Sequence, residues 1–186
     1  MDLSDAILIP SANGQAEAES LLKKGLDHVA IMRKQDPSSA QARQVGAFLR
    51  FRLAQSIVPT GRVDDAIDLF RQGNAEMESL CVEFPWNRRY WEQARNFQQD
   101  TTRALQNAKR QEAAAESIER MVDWWQKIGS KLPDDPIPQA ELQNCRTELI
   151  ALLRSAGREE RAKSLELASS SEAMVPEATH ASRPRN

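Results

Sequence analysis

Thr60-Gly61-Arg62-Val63-Asp64-Asp65-Ala66, running on through Leu80, is the stretch that decides the fold. Its apolar or small residues fall at Ala66, Phe70, Gly73, Met77 and Leu80, in steps of four, three, four and three that mark one face of an α-helix. Moving back 48 residues, the same steps meet Ala18, Leu22, Gly25, Val29 and Met32. Moving forward 48, they meet Ala114, Ile118, Met121, Trp125 and Ile128. Three gapless copies, apolar or small at every position, predict an internal repeat.

The segments between the copies recur in the same way. A first helix is expected from about Gln15 to Gln35, ended by Asp36-Pro37-Ser38, with Ser38 and Gln41 as a capping box for the next helix. That second helix, from about Ser39 to Val58, has its own stripe at Gly46, Leu49, Leu53 and Ile57. The stripe returns as Ala94, Phe97, Thr101 and Leu105, then as Leu142, Cys145, Leu149 and Leu153. The turn after it is Pro59-Thr60-Gly61, then Ala108-Lys109-Arg110, then Ala156-Gly157-Arg158. Only the middle turn lacks glycine, so a gentler bend or a more continuous helix is expected there. A final helix begins near Arg158 and is more polar, as suits the end of a stack.

The expected organisation is a short N-terminal segment over residues 1–14, a helical repeat domain over 15–168 and a disordered tail over 169–186. The formal charge of −2 argues against a nucleic-acid binder, whose footprint is a basic stripe. No apolar run approaches the ~20 residues of a membrane span, so no membrane association is expected. Two cysteines, Cys81 and Cys145, lie far apart without a CxxC pair, and a reducing cytoplasm is the expected compartment.

No constellation for chemistry emerges. His28 and His180 have no partners at metal or triad spacing, and the carboxylates Asp64, Asp65, Glu159 and Glu160 stand in first turns, where they complement the helix dipole. No catalytic residue, cofactor or metal ligand is therefore expected. A small all-α enzyme, the remaining alternative, would need clustered polar residues that the spacing does not provide.

Within Arg50 to Gly73, the residues Leu53, Ala54, Ile57, Gly61, Ala66, Phe70 and Gly73 alternate large, small and turn types at the spacings of the tetratricopeptide (TPR) repeat. The 48-residue unit resembles that repeat in a longer-period form. Arg50 departs from the usual aromatic, and the closing prolines, Pro85 and Pro133, come late. The resemblance implies an all-α solenoid of antiparallel helix pairs and a non-catalytic scaffold that binds a protein or peptide. The phrase Gly61 to Ala66 with the ending Glu83-Phe84-Pro85 is also similar to TPR arrays appended to bacterial serine/threonine kinases. That likeness makes a regulatory or targeting fragment of such a kinase the first alternative. No glycine-rich phosphate loop, VAIK lysine, HRD or DFG is present.

By the same resemblance, the first helix of each pair lines a groove. Phe48, Phe51 and Gln55 would line it in one unit, Asn96, Gln99 and Arg103 in the next, and Asn144, Thr147 and Arg154 in the third. Amides suit a peptide backbone and guanidinium groups its carboxylates. Tyr90, Phe97 and Trp125 fall on stripes and are expected in the core. Trp86, Trp91 and Trp124 fall off them, either as exposed anchors for a partner or as rings folded against neighbouring loops, the second being the expected reading. Residues 1–12 are expected to be too short to supply a helix before the first, leaving Leu21, Leu22, Leu26 and Val29 partly uncovered. Either this end docks on another subunit, as self-association, or on a separate chain, or residues 1–10 fold back over it.

Overall fold

The computed structural model describes residues 12–173. It consists of seven α-helices: α1 (Ala12–Gln35), α2 (Ala40–Ile57), α3 (Val63–Glu83), α4 (Arg88–Asn107), α5 (Gln111–Lys131), α6 (Pro136–Ser155) and α7 (Glu159–Ala173). A 3-10 turn, Val58–Thr60, extends α2, and no strand occurs among the described residues. Each helix packs on the next in sequence, and α3 also meets α5.

Local chemistry sets the boundaries. Ser39, rather than Ser38, caps α2: its Oγ accepts from the Ala42 N–H at 3.3 Å, while Ser38 turns back to donate to Asp36 Oδ1. Asp135 caps α6 by accepting from the Ile137 N–H at 3.1 Å, with Pro136 at the first helical position. The Ala108-Lys109-Arg110 turn does not soften for want of glycine. Lys109 takes the left-handed conformation itself at φ 59°, as Gly61 and Gly157 do at 83° and 74°. Its hydrogen bonds match those around Gly157: Lys109 N–H to Gln106 C=O and Arg110 N–H to Leu105 C=O, against Gly157 to Arg154 and Arg158 to Leu153. Satisfying the last carbonyls of α4 in this Schellman arrangement outweighs the steric cost at the lysine Cβ.

The stripes of α3 and α5 are wholly buried, Phe70 and Trp125 among the most enclosed side chains. On α1 only Val29 of the stripe is buried. Leu22 and Gly25 are half-buried and Met32 is exposed. At Gly73 the approach is to backbone: a Cβ would lie 3.0 Å from the backbone oxygen of Ala47 on α2. The expected tail begins as helix, since α7 runs to Ala173; the rest of that segment, and residues 1–11, lie outside the described residues.

A polar layer crosses this core between α3, α4 and α5. Asn74 Nδ2 donates to Gln98 Oε1 at 3.1 Å and to Thr101 Oγ1 at 3.2 Å, and Ser117 Oγ donates to Gln98 Oε1 at 2.6 Å. Gln98 Nε2 donates in turn to Glu78 Oε1 at 2.7 Å, and Arg120 closes the chain on Glu78 Oε2 at 3.2 Å. Buried amides and hydroxyls joined in this way escape most of the desolvation penalty that an unpaired group would carry.

Candidate partner-binding cleft

The face made by α2, α4 and α6 holds the residues singled out for a groove, but it assembles only some of them. Phe48 on α2 is 45% exposed, with its ring centroid 6.2 Å from that of buried Phe97 on α4. Beside it a cleft runs between α2 and α4, lined by Phe48, Asn96, Gln93, Arg89 and Tyr90. Gln44 Nε2 donates to Gln93 Oε1 at 2.7 Å across the cleft and ties the two helices together. Among the described residues, the side chains of Arg89 and Asn96 have no hydrogen-bond or ion-pair partner. Tyr90, expected in the core, is half-buried at one end of the cleft, 6.0 Å from Phe84. Exposed Trp86 stands edge-on to that same Phe84 at 6.3 Å.

Other expected groove residues are placed otherwise. Phe51 is buried, stacked on Phe97 at 4.2 Å and tilted against Phe70 at 5.6 Å, so it supports the cleft from beneath. Gln55 is half-buried and accepts from Arg52 at 3.2 Å. Arg103 is exposed and paired along its own helix with Asp100 at 3.1 Å. Arg154 turns toward α7, bonding Glu166 at 2.7 Å and lying 3.6 Å from Glu159. The Thr147 hydroxyl donates to the Gln143 carbonyl, and Gln99 and Asn144 are exposed outside the cleft.

Two of the three tryptophans weighed as anchors are buried. Trp91 is 3% and Trp124 2% exposed. Both rings meet Trp125, Trp91 edge-on at 5.9 Å and Trp124 tilted at 4.3 Å, and the Arg88 guanidinium lies 5.6 Å from the Trp91 ring centroid. A helix packed on two sides buries more than a five-residue stripe. The positions flanking the stripe on α4 and α5 are enclosed as well. On α1, Leu21 is 60% exposed as expected, and Leu26 is half-buried.

Gln44, Arg89 and Gln93 escaped the sequence argument although the signal for them exists. Arg89, Gln93 and Asn96 continue the helical steps backward, as Gln44 does from Phe48.

Titratable groups add no reactive centre. Burial pushes the Cys145 thiol up to about 12 and raises Cys81 further, with nearby Glu141 and Glu78 adding to the respective shifts. Both thiols are therefore protonated and inert as nucleophiles near neutral pH. Desolvation raises the Glu78 carboxyl against the pull of Arg120, and burial alone raises Glu148. Among the described residues, no group of three or more His, Cys, Asp or Glu side chains is placed to hold a metal ion, and no helix is long and apolar enough to cross a membrane. No family model matches the chain, and no curated protein or solved structure is significantly similar to it.

Proposed function

We propose that this chain is a non-catalytic scaffold that binds a peptide or protein segment in the cleft between α2 and α4, on a TPR-like solenoid of 48-residue helix pairs. Several placements support the repeat. The left-handed residues Gly61, Lys109 and Gly157 stand one unit apart, and the ion pairs Arg110–Asp64 and Arg158–Glu112 are the same pair displaced by one unit. The observation that carries the binding reading is the exposed Phe48 ring beside an unpaired guanidinium, Arg89, and an unpaired amide, Asn96.

Such a set suits an extended segment. An apolar side chain would lie between Phe48 and Tyr90, its backbone would hydrogen-bond to Asn96, and a neighbouring carboxylate would meet Arg89. The cytoplasm is the proposed location, since both cysteines are free and buried.

Selection of displayed random peptides on the full chain tests the reading. Peptides pairing an apolar with an acidic residue should emerge, and Phe48→Ser and Arg89→Glu should each weaken them at least about tenfold. Their circular dichroism should remain that of the wild type. Selected peptides that bind the double variant as tightly as the wild type would remove the cleft as the site.

A further inference from the structure

A different surface, the outward face of α1, carries a second inference. Of the charges on this helix, Glu19 is engaged by Lys23 and Arg62, and Arg33 by Glu76. Glu17, Lys24, Asp27 and Lys34 are left exposed, with no partner among the described residues. They share a face with Leu21, 60% exposed, and Ile31, 53% exposed, away from the side that Val29 buries.

We propose that two copies of the chain associate through this face, α1 packing antiparallel on α1 of a second copy. One register satisfies all four charges. Setting Glu17 opposite Lys34 of the second copy also sets Lys24 opposite its Asp27, and the two-fold axis repeats both pairs. The same register brings Leu21 beside Ile31 of the partner copy, so apolar and charged positions alternate along the seam.

The acidic residue nearest the start of α1 and the basic one nearest its end face each other. A seam confined to one helix of 24 residues falls short of the roughly 1,200–2,000 Å² of a standard interface. The dimer is accordingly weak and concentration-dependent.

Sedimentation velocity of the full chain over a concentration series up to about millimolar should show a reversible monomer–dimer equilibrium. Lys24→Glu and Asp27→Lys each place like charges across the seam and should raise the dissociation constant about tenfold. The double variant K24E/D27K restores opposite charges in the same register and should return dimerisation to the wild-type level. A Glu17→Cys, Lys34→Cys chain should form a disulfide-linked dimer on mild oxidation; the two native thiols are buried and stay silent.

A strict monomer at every concentration overturns the proposal, and then α1 is covered by residues 1–11 or by another protein. Failure of the double variant to recover, or of the cysteine pair to cross-link, also overturns it. The cleft-binding assay above is independent of all these outcomes.

Discussion

α1 and α3 carry the same five-position stripe, and the fold treats them differently. On α3 all five positions are buried, because α2, α4 and α5 surround it. On α1 the same steps bury only Val29, because α2 is its main neighbour. An apolar stripe states what a helix offers for burial, and the number of neighbours decides how much of the offer is taken up.

The largest test of this contrast is truncation at equivalent stripe positions. Phe70→Ala should cost about 3–5 kcal/mol, whereas Leu22→Ala, at a half-buried site, should cost about 1–2 kcal/mol in urea unfolding. Equal losses would mean that α1 is covered in solution as fully as α3.

Glycine sharpens the comparison next. A Cβ at Gly73 would meet the Ala47 backbone oxygen at 3.0 Å, whereas one at Gly25 would meet the tip of the Leu49 side chain at the same distance. The backbone cannot yield cheaply and the leucine can. Gly73→Ala should therefore destabilise by about 1–3 kcal/mol. Gly25→Ala should be neutral or stabilise by up to about 1 kcal/mol through helix propensity. Thermal denaturation of the two variants side by side decides it.

Lys109 offers a smaller gain. Replacing a left-handed lysine by glycine, as the other two turns already have, should raise stability by about 0.5–1 kcal/mol. An unchanged or lowered melting temperature for Lys109→Gly would show that the lysine side chain contributes more than its conformation costs.

The smallest effect is one of sign. Hydrogen bonds from Lys23 and Arg62 lower the Glu19 carboxyl on α1, while desolvation raises Glu78 on α3. The Glu19 contribution to stability is present above the ordinary carboxylate pKa and is lost as pH falls through its lowered value. That of Glu78 is present below the ordinary pKa and is lost as pH rises through its raised value. The urea midpoint of Glu19→Gln should therefore fall relative to wild type as pH rises toward the ordinary carboxylate value of about 4, and that of Glu78→Gln should climb as pH rises above it. Parallel trends would contradict the assignment of opposite causes.

How much of this was legible in the sequence follows from what each signal measures. The all-helical class, the boundaries near Asp36-Pro37 and Pro85, and the buried stripes of α3 and α5 were readable, because periodicity and breakers are local. The burial of Trp124 was not, since it depends on how many helices surround α5, which no single helix records. Trp91, by contrast, stands three residues before Ala94 and extends the stripe of α4. Arg154 looked available for a ligand because its partners, Glu159 and Glu166, belong to a helix that sits against it only after folding. Phe48 and Asn96 belong to the groove that the TPR resemblance implies, while Arg89 and Gln93, one turn earlier on the same face, complete the cleft. The polar layer was invisible because Asn74 and Gln98 each stand one residue from a stripe position, Gly73 and Phe97.

That layer has a consequence for how such a chain can change over time. Greasy seams are interchangeable, and a helix pair bounded by them can be copied, lost or traded without leaving a polar atom stranded. The join through Asn74, Gln98 and Ser117 is different, since removing any one of α3, α4 or α5 strands the others in a dry interior. Exchanging a helix pair should therefore disturb the two ends of the molecule less than its waist.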